Sequence, residues 1–99
     1  MTTHTGKIAV VTGASRGIGQ AIAAGLAARG ASVVGVDIAE AEETRGLVGA
    51  TGADWLGIVA DVSSPGDVSR LAEETLSRFG KCDIVVNNAG IFPAYALKT

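Results

Sequence analysis

The sequence has little cysteine and little histidine: one residue of each among 99. Cys82 therefore has no partner for an intrachain disulfide, which excludes the cross-linked framework of small secreted domains. Cys82 and His4 are also far apart in the sequence and are too few to form a zinc site. No metal site is predicted.

Long hydrophobic runs and an excess of positive charge are missing too. No apolar segment near the N-terminus has the length of a signal peptide or a membrane span, so a cytoplasmic location is expected. Lys and Arg number 8 against 10 Asp and Glu, a net charge of −2. This balance argues against nucleic-acid or anionic-membrane partners. With 47% hydrophobic residues, residues 1–99 can build a core, and the length fits one small domain at most.

Short apolar, β-branched runs alternate with helical patterns along the chain. Strands are predicted over 8–11, 32–36, 55–60 and 83–86, and the first two of them are predicted to be buried. A first helix follows the glycine-rich segment that ends at Gly19, with Gly30 as its stop. Its apolar stripe is predicted to comprise Ile18, Ala21, Ile22, Gly25 and Leu26.

Two further helices are predicted between the later strands. A weaker one covers about 39–48. The other begins with Ser64 as N-cap, Pro65 in the first turn and Asp67 two positions later, and it ends at Gly80. Its apolar face is predicted to contain Val68, Leu71, Ala72, Leu76 and Phe79. The order β-α-β-α-β-α-β predicts an α/β fold: a doubly wound parallel sheet with helices on both faces.

Ligands of such sheets bind at the carboxyl ends of the strands, and a glycine-rich segment lies at the first of these ends. It runs from Thr12 to Gly19, between a buried strand and an amphipathic helix. Glycines allow a close approach to a pyrophosphate, and the helix N-terminus offers unpaired N–H groups to the anion. A plain tight turn is the alternative. A nucleoside-triphosphate loop would need a lysine after its last glycine, where Gln20 stands.

Asp37 closes the second strand, near the distance of about 20 residues at which an acid contacts the adenosine ribose. A carboxylate there accepts from the 2′-hydroxyl and repels a 2′-phosphate, which favours NAD. Arg16 has the opposite effect, because it could reach a 2′-phosphate and favour NADP. We expect NAD, since an arginine can turn into solvent whereas the carboxylate occupies the place of the phosphate. The alternative is a turn or N-cap aspartate.

Polar and small residues also follow the third and fourth strands. Asp61 could accept from the adenine amino group, with Val62 lining the ring pocket. The segment 87–90, Asn-Asn-Ala-Gly, leaves room for a ribose. Taken singly, each of these segments could be an ordinary loop or turn.

Together, the three segments resemble the signatures of the classical short-chain dehydrogenases/reductases, in the expected order and over residues 7–91 or so. The resemblance implies a Rossmann-type fold that binds NAD(P). It implies that Gly13, Ser15, Arg16, Ile18 and Gly19 line the pyrophosphate and ribose, that Asp37 sets cofactor choice, and that Asp61 and Val62 hold adenine. Asn88, Ala89 and Gly90 would lie along the nicotinamide ribose, with Asn87 structural.

The family's proton-transfer pair, Tyr-x-x-x-Lys, is not found in the sequence. Tyr95 is the only tyrosine, and Thr99 stands where the lysine is required, one position after Lys98. The resemblance implies hydride transfer between NAD(P) and a small alcohol or carbonyl substrate by a longer, homo-oligomeric parent. The chain is expected to be the N-terminal, cofactor-binding part of one domain, inactive alone. The alternatives are a non-catalytic dinucleotide-binding or partner-binding module, and a truncated chain that does not fold stably.

Overall fold

A computed structural model describes residues 3–88, which form one parallel sheet with helices on both of its faces. The elements, in chain order, are β1 (Ile8–Thr12), α1 (Gly17–Ala28), β2 (Ser32–Asp37), α2 (Glu42–Gly49), β3 (Trp55–Val59), α3 (Pro65–Phe79) and β4 (Ile84–Val86). Within this part of the chain, none of the helices combines the length and the apolar character that crossing a membrane requires.

The four strands lie in the order β3-β2-β1-β4 and are all parallel. From β1 the chain moves outward to β2 and β3, and it then crosses back to place β4 on the other side of β1. This reversal of direction beside β1 is where open α/β sheets leave a crevice at the carboxyl ends of the strands. The predicted α/β, doubly wound architecture is confirmed.

Alternation along the central strands builds a core on each face of the sheet. Val10 and Val34 point to one face and pack in a cluster with Leu71 of α3. Val11 and Val33 point to the other face, where Ala23 and other small residues of α1 cover them. The sheet is therefore sandwiched between α3 on one side and α1 with α2 on the other.

The predicted apolar stripe of α1 is correct only in part: Ile22 and Leu26 pack against the core, whereas Ile18, Ala21 and Gly25 are exposed. The buried face of this helix is formed by Gly19, Ala23 and Ala27, whereas Ile18 is 72% exposed. The glycine-rich segment brings the start of the helix so close to β1 that only residues without bulk fit between them. Residues four apart share a helix face, so the small residues form the contact and the larger Ile22 and Leu26 flank it.

The third helix begins as predicted. Ser64 is its N-cap, with Oγ accepting from the Asp67 backbone N–H at 3.4 Å, and Gly80 follows its last turn with φ of 78°. Two members of the predicted apolar face are exposed, namely Ala72 and Leu76. Thr75 is buried instead, and its hydroxyl donates to the Leu71 carbonyl at 2.8 Å, which offsets the cost of burying a polar group.

Other differences lie at the ends of elements and at the sheet edges. The second helix begins at Glu42 rather than near Ala39, because the chain first turns away from the end of β2. Strands β3 and β4 are edge strands and are therefore only partly buried, with Val59 46% exposed. The predicted burial of the first two strands is confirmed: every residue of β1 and the four inner residues of β2 are buried.

Candidate functional site

The glycine-rich loop connects β1 to α1 at the carboxyl edge of the sheet. Gly13 has φ of 65° and Gly17 has φ of 61°, a region in which residues with a Cβ are strained. These two glycines let the chain reverse direction immediately after Thr12. The loop therefore lies flat against the ends of β1 and β2.

Backbone and side-chain hydrogen bonds fix the loop to neighbouring strands. The Ala14 N–H donates to the carbonyl of Val36 in β2 at 3.2 Å. On the other side, Asn88 follows β4 and its Nδ2 donates to the Gly13 carbonyl at 3.3 Å. The loop is thus held between the carboxyl ends of two strands that are not adjacent to each other.

The last glycine of the loop is required by packing. A Cβ on Gly19 would collide with the carbonyl oxygen of Gly13 and would lie 2.7 Å from Nδ2 of Asn88. Gly19 is buried, so this crowding cannot be relieved by moving into solvent. The absence of a side chain here allows the close contact between loop and helix.

The start of α1 lies at the end of the glycine-rich loop. The N-cap is Arg16, whose side chain makes no capping hydrogen bond, and the helix begins with Gly17, Ile18 and Gly19. The first N–H groups of a helix have no partner within it, and they carry a partial positive charge. This end of α1 can therefore bind a phosphate group from its backbone.

Asp37, at the end of β2, is tied to the same loop. Its Oδ2 accepts from Ser15 twice, from the backbone N–H at 3.0 Å and from Oγ at 2.6 Å. Its Oδ1 accepts from the backbone N–H of Ile38 at 2.7 Å. Partial burial acts to raise the pKa of Asp37, but these bonds and the charge of Arg16 outweigh it and lower that pKa.

A cavity of about 310 Å³ opens beside this loop. Its walls contain these sequence-predicted site residues: Gly13, Arg16, Asp37, Asp61, Val62 and Asn88. Ser15 is turned toward Asp37, Gly19 is buried under the loop, and Ile18 is exposed outside the cavity. Ala89 and Gly90 lie outside the described residues.

The segment that follows β3 contributes one polar and one apolar wall to this cavity. Asp61 is exposed, and its Oδ1 accepts from Oγ and the backbone N–H of Ser63 at 2.6 and 2.9 Å. The Ser63 side-chain bond, followed by the backbone bond, lowers the pKa of Asp61. Val62 is buried in the core cluster beneath the cavity. The cavity therefore has an ionised rim over an apolar floor.

Thr12 links the loop to the end of β4. It is fully buried, and its Oγ1 accepts from the Asn88 backbone N–H at 3.0 Å. The same hydroxyl lies 3.3 Å from the Val86 carbonyl and 3.5 Å from Oδ1 of Asn87. Asn87 thus lies between the ends of β1 and β4, where the sequence places a structural residue.

Sequence reasoning missed three residues that line the cavity: Val36, Ile38 and Ala60. Ile38 is 74% exposed, although it is large and apolar. Its position directly after the strand-ending Asp37 was the available signal, because an isoleucine in a turn has no core to enter. Its side chain provides an apolar surface at the mouth of the cavity.

A second cavity, of about 220 Å³, lies at the β3 edge of the sheet. It is lined by Trp55, by the ion-paired Glu42 and Arg45, and by residues of the turn before α2. None of the sequence-predicted site residues borders it. The larger cavity at the carboxyl ends of the strands is therefore the candidate functional site.

Comparison with known proteins identifies the family of the chain. The family model described as short chain dehydrogenase matches residues 7–99. The chain is 46% identical to 2-dehydro-3-deoxy-D-gluconate 5-dehydrogenase of Dickeya dadantii over 87% of its length, which is 34% of that protein. It is 49% identical to 3-oxoacyl-[acyl-carrier-protein] reductase of Escherichia coli, again over 87% of this chain and 35% of the relative.

Solved structures agree. A short chain dehydrogenase from Mycobacterium paratuberculosis bound to NAD superimposes with a TM-score of 0.82 at 31% identity, over 87% of this chain and 37% of that one. The chain spans about a third of the length of the curated relatives it matches. On the family match and these similarities, the chain belongs to the classical short-chain dehydrogenase/reductase family.

Proposed function

We propose that this chain is the dinucleotide-binding part of an NAD(P)-dependent oxidoreductase, within a single Rossmann domain, and that its preferred cofactor is NAD. The cofactor-binding residues that we propose are Gly13, Ser15, Arg16, Ile18, Gly19, Asp37, Asp61, Val62, Asn88, Ala89 and Gly90. The observation that carries the proposal is the position of Asp37, which borders the cavity and contacts the glycine-rich loop at once.

The hydrogen bonds of Asp37 favour a ribose hydroxyl over a phosphate. A carboxylate offers about four acceptor positions, and Ser15 and Ile38 supply three donors among the described residues. A hydroxyl can donate to the position that remains. A 2′-phosphate is itself an acceptor and adds about −1.5 to −2 charges, so it would repel this ionised carboxylate.

Arg16 also borders the cavity and is the residue that favours NADP. It is exposed, and the structure gives it no ion pair with Asp37. An exposed arginine can turn away at little cost, whereas Asp37 is held by its hydrogen bonds. The carboxylate therefore decides the preference.

The remaining walls fit the other parts of such a cofactor. Ile38 and Val62 give apolar surfaces for a purine ring, and Asp61 gives an acceptor for its amino group. The N-terminus of α1 gives backbone donors for the pyrophosphate. The nicotinamide ring supplies the hydride donor or acceptor when the cofactor is bound, and these residues bind and orient the molecule that carries it.

The substrate class that we propose is a small alcohol or carbonyl compound. Support comes from two relatives, a 2-dehydro-3-deoxy-D-gluconate 5-dehydrogenase and a 3-oxoacyl-[acyl-carrier-protein] reductase, whose names describe oxidation of an alcohol or reduction of a carbonyl. The sequence does not contain the Tyr-x-x-x-Lys pair that the family uses for proton transfer. We therefore expect the 99-residue chain to bind dinucleotide without turning substrate over, and we expect the parent to be a homo-oligomer.

A thermal melt with and without NADH tests the proposal. A ligand that binds only the native state raises the midpoint of unfolding, by an amount that grows with its concentration. We expect a cooperative transition whose midpoint rises with NADH. A cooperative transition that NADH does not move would instead favour a module that binds another partner, and the absence of any transition would indicate a chain that does not fold alone.

A further inference from the structure

A buried hydroxyl that does not line the cavity contacts the glycine-rich loop. Thr44 belongs to α2 and is fully buried, and it does not border the cavity. Its Oγ1 donates to the carbonyl of Ala14 at 2.6 Å. The same oxygen accepts from Nε2 of Gln20, in the first turns of α1, at 3.2 Å.

These contacts determine which way the loop presents its polar groups. The Ala14 carbonyl points toward α2, because that is where its donor lies. The neighbouring Ser15 carbonyl is 3.5 Å from Nε2 of Gln20, on the same side. A carbonyl oxygen turned into the cavity would repel a pyrophosphate, so holding both oxygens away leaves the first backbone N–H groups of α1 as the donors for the anion. The N–H groups of Ala14 and Ser15 are not among them, because they already donate to Val36 and Asp37.

The contact is also expensive to lose. Thr44 has no exposed surface, so water cannot take the place of its hydroxyl without an opening between α1 and α2. A buried acceptor that loses its donor keeps its full desolvation cost. The Ala14 carbonyl would then recover a partner by rotating the peptide toward the cavity, where solvent is available.

We propose that Thr44 is a positioning residue for cofactor binding: through Ala14 and Gln20 it holds the glycine-rich loop in the orientation that accepts a pyrophosphate. This inference rests on the proposed function and extends it to a residue that does not contact the ligand. Its effect should be larger at the phosphate end of the site, where Ala14 and Gln20 lie, than at the adenosine wall, which the loop reaches only through the hydrogen bonds of Ser15 to Asp37.

Thr44→Val removes the hydroxyl at nearly constant volume, and Thr44→Ser retains it. The affinities of the 99-residue chain and both variants for ADP and for adenosine are measured by NMR titration. We expect Thr44→Val to weaken ADP binding by about tenfold and adenosine binding by less than about twofold. Thr44→Ser should have the same ratio of ADP affinity to adenosine affinity as the unsubstituted chain.

If Thr44→Val weakens the binding of ADP and of adenosine by the same factor, or weakens neither, the ratio of the two affinities is unchanged and the inference is overturned. A merely structural residue would act on both ligands alike. If the unsubstituted chain binds neither ligand, the proposed function fails with it. Should Thr44→Val not fold, Gln20→Leu removes the other donor of this cluster from a half-buried position. Gln20→Leu should lower the affinity for ADP relative to that for adenosine. An unchanged ratio of these two affinities would likewise overturn the inference.

Discussion

Asp37 and Ser15 are joined by two hydrogen bonds that share one carboxylate oxygen, Oδ2, at 3.0 Å from the Ser15 backbone nitrogen and 2.6 Å from Oγ. One residue ends β2 and the other lies in the glycine-rich loop. The carboxylate proposed to select the cofactor thus also braces the loop proposed to bind its pyrophosphate. Selectivity and total affinity are therefore coupled at this position.

The coupling predicts different outcomes for two substitutions of Asp37. Asp37→Asn removes the charge but keeps an oxygen that can accept from Ser15, so the ratio of NADPH to NADH affinity should rise by about tenfold. Asp37→Ala should raise the same ratio and also weaken both cofactors, because Ser15 loses its acceptor. Fluorescence titrations with NADH and NADPH measure both quantities. A ratio that does not change in either variant would show that Asp37 does not select the cofactor.

A pair of glycines in α1 tests the close contact between loop and helix. Gly19→Ala should destabilise the chain by roughly 1–3 kcal/mol, since its Cβ would collide with the Gly13 carbonyl. Gly25 lies in the same helix, and a Cβ there would meet nothing within 4 Å. Gly25→Ala should therefore stabilise the chain by about 0.5–1 kcal/mol. Urea denaturation measures the free energy of unfolding of both variants. Equal changes in that free energy would mean that a Cβ on residue 19 does not collide with the Gly13 carbonyl.

The pKa of Asp83 predicts how stability depends on pH. Its Oδ2 accepts from the Ile8 backbone N–H at 2.8 Å and lies 3.2 Å from Nζ of Lys81. The Ile8 bond first, and then the nearby lysines, lower the pKa of Asp83 in the folded chain. A lowered pKa stabilises the fold above the unfolded value of about 3.9, and this contribution is lost as the pH falls through the folded value.

Asp83→Asn should therefore be less stable than the unsubstituted chain at pH 7, and the difference should narrow as the pH falls below about 4. Urea denaturation at a series of pH values measures it. A stability difference for Asp83→Asn that stays constant with pH would contradict the assignment.

Local patterns were sufficient to predict the order of elements and to place Asp37 and Asp61 at or just after the ends of strands. The alternation of β-branched runs with helical patterns predicts the parallel sheet, and Ser64 with Pro65 predicts the start of α3 correctly. Residues such as Asp37 and Asp61 were found because the carboxyl ends of parallel strands meet at one edge. These features depend on neighbours in the sequence or on one general rule of sheet geometry.

Contacts between distant segments were not predictable in the same way. Gly35 lies within a strand, where glycine is unfavourable, and the sequence gives no reason for it. The structure supplies one: a Cβ on Gly35 would collide with the indole ring of Trp55 on the neighbouring strand. The buried face of α1 and the contact of Thr44 with Ala14 likewise depend on how closely α1 approaches the sheet and α2. Periodicity carries no information on these distances.

The most direct test of the central claim is a calorimetric titration of the unsubstituted chain with NADH and, separately, with NADPH under identical conditions. The account predicts that NADH binds more tightly, because the ionised Asp37 borders the place where the 2′-phosphate of NADPH would lie. Tighter binding of NADPH would show that Arg16 outweighs Asp37 and would contradict the proposed cofactor preference. Binding of neither would contradict the proposed site itself.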